Sequence, residues 1–233
     1  MIFDPPLARG RLVQRYKRFL ADITTRHGEV MTIHCPNTGA MSGCSAPGSE
    51  IWYSRNDKPT RKYRGTLELV KTKHGSLVGV NTLRANDMVE EALEAELLPT
   101  LAPYAERRRE VSDRETKRRF DFVLSRGPKH CFVEVKSVTL LRDGVALFPD
   151  APSARAHRHV DLLESRCKQG HDAVVLFCVQ RSDASCVAPA DHIDIEYGRA
   201  LRRARASGVT MLALGALLSR NEIRLVRPLP VVL

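Results

Sequence analysis

Asp121, Glu134 and Lys136 are the residues of this chain whose types and spacing can do chemistry. Asp121 lies inside Arg119-Phe-Asp-Phe-Val-Leu, and the other two lie inside Cys131-Phe-Val-Glu-Val-Lys-Ser. Both runs mix aromatic and β-branched residues around the turn-prone Ser-Arg-Gly-Pro of 125–128, so they read as successive strands. Alternation along a strand puts Phe132, Glu134 and Lys136 on one face and Val133 and Val135 on the other. A rise of about 3.3 Å per residue sets Glu134 and Lys136 about 7 Å apart on that face. If the two runs pair as neighbours, Asp121 stands beside Glu134. Charges inside apolar strands are costly unless they pair with one another or bind a metal. Hard carboxylate oxygens suit Mg²⁺ or Mn²⁺, ions that keep several waters and accept a substrate phosphate. Such an ion polarises a phosphoryl oxygen and acidifies a bound water, which Lys136 would orient or help deprotonate. The same residues also fit an exposed hairpin whose Glu134 and Lys136 form a surface ion pair of little energetic weight.

The spacing Asp-x₁₂-Glu-x-Lys on successive strands resembles the PD-(D/E)xK nuclease superfamily. Upstream, residues 81–98 read as a helix with Leu83, Val89, Ala92, Leu93 and Leu97 at helical spacing. Asn81 and Thr82 are candidate caps at its start, and Pro99 ends it. The resemblance implies that such a helix supplies one more acidic metal ligand. Glu91, one turn beyond Asp87 and flanking the apolar stripe, fits that role better than Glu90. A solvated acidic face shared with Glu90, Glu94 and Glu96 is the competing reading.

The elements that must carry these residues divide the chain in two. At 233 residues it suits one large or two small domains. The net charge of +10 is uneven: residues 1–80 carry 13 Lys and Arg against 6 Asp and Glu, the remainder 24 against 21. A basic unit joined to a nearly balanced one is the footprint of a polyanion binder. Charge alone does not separate nucleic acid from a membrane surface, but no long apolar run or amphipathic basic helix is present. Residues 11–25, 29–35, 50–54, 65–73 and 76–81 read as five short strands, suiting a small, partly open, OB-fold-like barrel of the kind that binds single strands. Arg15, Tyr16 and Lys17 interleave cations with a ring, so Tyr16 is a candidate for base stacking and its neighbours for phosphate, although an aromatic on a half-buried strand is more often packing. Arg61, Lys62 and Arg64 repeat the theme in a loop, where binding residues concentrate. Residues 36–48 form a small-residue loop, read either as an anion nest or as an ordered loop docking the two domains. It is no Walker A loop, since no Gly-Lys-Ser/Thr follows.

Beyond Lys136 the chain alternates. Helices at 153–169 and 191–207 flank an apolar strand at 173–179, and a further strand follows at 209–214, giving a mixed sheet covered by helices. Arg155 and His159, four apart, are candidates to face the cleft and touch phosphate; a solvated face is the alternative. The basic run 199–205 is not a helix-turn-helix reader, because a strand-like segment follows it. The six cysteines form no CxxC pair, and the start of the chain shows no secretory signal, so a reduced, cytoplasmic setting is expected.

Several blocks in order, from Met1-Ile-Phe-Asp-Pro-Pro-Leu through His34-Cys-Pro-Asn-Thr-Gly-Ala-Met and Val133-Glu-Val-Lys-Ser-Val-Thr-Leu to Pro228-Leu-Pro-Val-Val-Leu, resemble the sugar fermentation stimulation protein A family along the whole chain. That resemblance implies an OB-fold-like domain over 1–80 and a nuclease-like α/β domain over 81–233. It also implies a DNA partner and a link to regulation of sugar catabolism. Whether two copies associate stays open. Two functions survive: a metal-dependent DNA hydrolase using Asp121, Glu134 and Lys136, and a DNA-binding regulator in which these residues are a relic or a structural site.

Overall fold

The computed structural model describes residues 1–56, 58, 60–113, 116 and 118–233. In the first part of the chain, short alternating segments become β1 (Ala8–Tyr16), β2 (Leu20–Thr25), β3 (Val30–His34), β4 (Glu50–Arg55), β5 (Gly65–Lys71) and β6 (Leu77–Gly79). They bond in the order β3-β2-β1-β4-β5-β6, and His34 of β3 also pairs with Thr66 of β5. That extra pairing closes β1 to β5 into a barrel, where a partly open one was expected. Closure needs a small residue: a Cβ at Gly65 would lie 2.5 Å from the Ile33 side chain. Every second residue turns inward, so Leu12, Ile23, Ile33, Ile51, Tyr53 and Leu67 fill the interior.

The single strand expected over 11–25 is in fact a hairpin. Its tip places Lys17 and Arg18 at φ values of 49° and 62°, the left-handed pair a tight hairpin turn demands, although neither residue is a glycine.

The second part opens with a 3₁₀ turn, Thr82–Arg84, capped by Asn81, whose side chain accepts the Leu83 N–H at 3.1 Å. Then follow α1 (Ala85–Glu94), β7 (Glu106–Ser112), β8 (Arg119–Arg126), β9 (Lys129–Val138), β10 (Leu140–Arg142) and β11 (Val145–Phe148). After them come α2 (Ala154–Lys168), β12 (Asp172–Val179), β13 (Cys186–Pro189), α3 (Ile195–Ala206), β14 (Thr210–Leu218) and β15 (Ile223–Pro228). The helix expected over 81–98 is therefore shorter: Glu96 turns left-handed at φ 52° and ends it before Leu97. The main sheet runs β15-β14-β12-β9-β8-β7, with β12 parallel to both β9 and β14 and the outer pairs antiparallel. Central β12 is buried from Ala173 to Val179 because helices cover both faces. Met88, Val89 and Leu93 of α1 pack on the side of Val133 and Val135. Val160 and Leu163 of α2, with Leu201 of α3, cover the side to which Glu134 and Lys136 turn. A small sheet, β10-β11-β13, lies apart from the main one. Among the described residues no helix is long and apolar enough to cross a membrane.

The two parts are tied together. The Met41 N–H in the 36–48 loop donates to Asp150 Oδ2 at 3.0 Å, and Thr82 Oγ1 donates to the Pro36 carbonyl at 2.7 Å. The docking reading of that loop is the observed one. The first residues of the chain also lie against β15, with the Phe3 N–H on the Asn221 carbonyl at 2.8 Å.

Asp194 fixes the start of α2, and hence the residues that α2 sends toward the sheet. It caps α3 by accepting the Tyr197 N–H at 3.0 Å and accepts the Ser153 N–H at 3.1 Å, while His157 Nε2 stands 3.0 Å from its carboxylate. Burial opposes its charge, but the two N–H groups and the His157 ring outweigh burial and hold the carboxyl below its usual range. A depressed carboxyl contributes stability above the unfolded aspartate pKa and loses it as pH falls through the folded value. Asp194→Ala should therefore cost about 1–2 kcal/mol at pH 7. In urea unfolding followed by circular dichroism, the gap to wild type should shrink as pH drops below the ordinary aspartate value of about 3.9.

Candidate metal and phosphate site

The site forms where a ladder breaks. Strands β8 and β9 pair from Arg126–Lys129 up to Phe122–Val133 and no further. On the other side, β7 and β8 pair at Arg109–Phe122 and Val111–Phe120, skipping Glu110 and Asp121. Phe120 packs on the α2–α3 side and Phe122 on the α1 side, although residues two apart in a regular strand share a face. At this irregularity Asp121 takes over the lost backbone bond: its Oδ2 accepts the Val135 N–H at 2.7 Å. Its Oδ1 accepts Asn86 Nδ2 of α1 at 3.0 Å.

The same Asn86 amide donates to Glu110 Oε1 at 3.0 Å, so one nitrogen joins two carboxylates. Glu110 Oε2 accepts Arg119 Nη1, also at 3.0 Å. Glu110 has φ 52°, a conformation a non-glycine strand residue adopts at a cost of order 1–3 kcal/mol. Sequence reasoning missed both Asn86 and Glu110. The segment around Glu110 is an exposed, charged edge strand with no apolar alternation to announce it.

Glu134 and Lys136 share a face as expected, and both are buried, at 5% and 8% exposure. Lys136 Nζ donates to Glu134 Oε1 at 2.7 Å, which rules out the surface-hairpin reading of this pair. His159 Nδ1 of α2 meets the same oxygen at 2.6 Å. The two carboxyls titrate in opposite directions. Burial and the charge of Glu134 push Asp121 up, against its bonds from Asn86 and Val135. Burial also opposes the charge of Glu134, but Lys136 and His159 outweigh it and hold Glu134 below its usual range. Negative charge is thus settled on Glu134 and incompletely compensated at Asp121.

Beside these groups opens a cleft of about 500 Å³, lined by Glu110, Asp121 and His159 together with Arg118, Arg119, Arg155 and Arg158. Four guanidiniums around two carboxylates suit a phosphate chain brought to a cation. Arg155 lies there as expected; His159 lines the cleft but spends Nδ1 on Glu134. Arg118, Arg119 and Arg158 are additions to the sequence reading.

The donor set fits a hard divalent cation. Asp121 and Glu134 offer oxygens, and an added positive charge would relieve the uncompensated carboxyl. Among the described residues no three His, Cys, Asp or Glu side chains already converge as a ligand group, so water and phosphate would complete the shell.

Glu91 is not part of it. Its Oε2 pairs with the Met1 amine at 2.6 Å, on the flank facing β15. Five residues beyond Asn86, it stands about 140° around the helix axis from the side chain that reaches Asp121.

Of the candidates on the barrel, Arg15 is turned inward. Its guanidinium donates to the carbonyls of Arg18, Asn37, Gly39 and Ala40, bracing the hairpin tip and the docking loop, so it is not free for phosphate. Tyr16 is half-buried, with its hydroxyl donating to Asp22 at 3.1 Å, which favours packing over base stacking. Lys17 is exposed at the strained tip. Lys62 sits over the Tyr63 ring at 5.6 Å, and Arg61 and Arg64 are exposed beside it.

Comparison with known proteins places these features in a family context. The model described as the SfsA N-terminal OB domain matches residues 13–80, and that described as the sugar fermentation stimulation protein RE domain matches residues 83–222. The sugar fermentation stimulation protein homolog of Alkalilimnicola ehrlichii is 53% identical over 99% of both chains. That of Teredinibacter turnerae is 51% identical over 100% of both. The solved structure of Pyrococcus furiosus SfsA in complex with Ca²⁺ is 26% identical, with a TM-score of 0.88 covering 100% of this chain and 98% of that one.

Isothermal titration with Mg²⁺ or Mn²⁺ should show one cation bound by wild type and none by Asp121→Asn. Glu91→Ala should bind as wild type does, because Glu91 lies on the far flank of α1. Loss of binding in that variant would restore Glu91 as a ligand.

Proposed function

The chain belongs to the sugar fermentation stimulation protein (SfsA) family, and from that premise we propose that it is a DNA-binding protein with a Mg²⁺-dependent phosphodiester-hydrolysing site of the PD-(D/E)xK kind. The observation that carries the reading is the gathering of Asp121, Glu134 and Lys136 beside one cleft ringed by four arginines. The Ca²⁺ in Pyrococcus furiosus SfsA supports an oxygen-ligand cation site in the family, since Ca²⁺ and Mg²⁺ both take carboxylates.

Asp121 and Glu134 would hold the cation, which supplies positive charge to a phosphoryl oxygen and acidifies a bound water. Arg118, Arg119, Arg155 and Arg158 bind the phosphates and orient the strand. His159 fixes the rotamer of Glu134 through Nδ1. Lys136 Nζ, on the same carboxylate oxygen, is placed to orient the attacking water and to carry its proton. Val135 N–H and Asn86 hold Asp121 ready, so little rearrangement is left for the moment of reaction.

One observation favours the second reading, a DNA-binding regulator that does not cut. Lys136 and His159 already compensate Glu134, so the site is stable as a purely structural ion cluster.

DNA affinity should be strongly salt-dependent, each neutralised phosphate adding about −0.9 to the slope of log K against log salt on duplex. Replacing Arg61, Lys62 and Arg64 together by alanine should weaken binding and flatten that slope. An unchanged slope would move the interface off the barrel.

Cleavage of single- or double-stranded DNA in Mg²⁺ or Mn²⁺ separates the two readings. Lys136→Ala should keep cation and DNA affinity and lose about 10²–10⁴ in turnover, as acid–base groups do. Equal cleavage by wild type, Lys136→Ala and Asp121→Asn would reveal a contaminant, and no cleavage by wild type would establish the regulator.

A further inference from the structure

A second cleft, of about 480 Å³, lies between the barrel and the start of α1, and the mechanism above does not use it. Its walls come from three places: Ile2 of the N-terminal strap; His34, Arg55 and Arg61 of the barrel; and Leu83 and Arg84 of the turn before α1. Ile2 and Leu83 are large apolar residues left 75% and 68% exposed. An apolar residue is not usually held at a concave, charged boundary without something to cover it.

The charges of this cleft are sorted. Glu68, 2% exposed, accepts Ser54 Oγ at 2.9 Å, Asn81 Nδ2 at 2.8 Å and Arg84 Nη2 at 3.0 Å, so its carboxylate is fully used. Arg55 lies over the Tyr53 ring at 6.0 Å, and among the described residues neither Arg55 nor Arg61 is ion-paired. Burial and the Arg61 charge keep the His34 imidazole below its usual pKa, hence neutral at pH 7 and able to accept a hydrogen bond. Two unpaired guanidiniums, a neutral ring acceptor and apolar side chains together match a nucleotide: phosphate, base edge and base face.

The cleft also has a place in the geometry of the first one. The turn and helix that present Leu83, Arg84 and Asp87 here present Asn86 to Asp121 and Glu110 there. Arg84 and Asn86 are about 3 Å apart along the axis. Neighbouring nucleotides of one strand rise about 3.4 Å each. We propose that the second cleft takes an unpaired nucleotide of the strand whose phosphate lies beside Asp121, with its phosphate on Arg55 and Arg61 and its base against Leu83 and Ile2. This deepens the proposed function and rests on it: the substrate class becomes DNA with a single-stranded tail or an extruded base next to the reacting phosphate.

The test is equilibrium binding of the full chain, without added divalent ion, to a short blunt duplex and to the same duplex with a single-stranded tail containing 2-aminopurine. The tail should raise affinity about tenfold, as one held base does, and change the 2-aminopurine fluorescence on binding. Ile2→Ser with Leu83→Ser, both exposed and so harmless to folding, should erase the tail's gain and leave blunt-duplex affinity as in wild type. Equal wild-type affinity for the two duplexes, or a tail gain that survives the double variant, would overturn the proposal while DNA binding itself stood. Binding of free dAMP in calorimetry without any tail effect would overturn the assignment to the substrate strand. Failure to bind either duplex would bring down the proposed function as well, a result distinct from the other three.

Discussion

The Val135 N–H donates to the carboxylate of Asp121 rather than to a strand carbonyl, and the site is built around that exchange. A buried backbone donor must find an acceptor, and a side chain supplies one only if the neighbouring strand has already left the ladder. The break at Asp121 does this. It turns a carboxylate into the sheet, beside the strand that carries Glu134 and Lys136, and opens the cleft on the α2 side. The accompanying left-handed Glu110 is the local cost of that break.

Everything else steadies the two carboxyls. Helix α1 reaches across with Asn86, and α2 with His159, so elements on opposite faces of the sheet both grip the site. Helix α1 is in turn positioned by the barrel, because Glu68 of β5 holds Asn81 and Arg84 just before it. The barrel and the cleft are therefore mechanically coupled through one short turn. Helix α2 is pinned at its start by Asp194, which serves α3 at the same time. A cation site assembled from a strand break and two helices needs this redundancy, since a loss of about 1 Å in placement is costly to chemistry.

Much of this was legible in the sequence, and the reasons are particular. Asp121, Glu134 and Lys136 stood out because charge inside two apolar runs is rare, and the turn between the runs fixed their order. The buried β12 and both later helices announced themselves by composition and period. Glu91 was misplaced because a 3₁₀ turn, with three residues per turn, precedes α1 and shifts the phase of the helix relative to a continuous 81–98. Arg15 reads as a phosphate contact from its basic and aromatic neighbours. The carbonyls that capture it belong to residues more than twenty positions later, a long-range demand that no local pattern shows. Glu110 and β7 were invisible because an exposed edge strand of charged residues carries neither a two-residue nor a 3.6-residue apolar period.

The central claim is that Asp121 and Glu134 form one cation site. Anomalous diffraction from crystals soaked in Mn²⁺ tests it without depending on any activity. The account predicts a single peak within about 2.0–2.6 Å of an oxygen of each carboxylate, with waters completing the shell. A peak bound elsewhere, or none while Asp121 still accepts the Val135 N–H and Lys136 still holds Glu134, would contradict it.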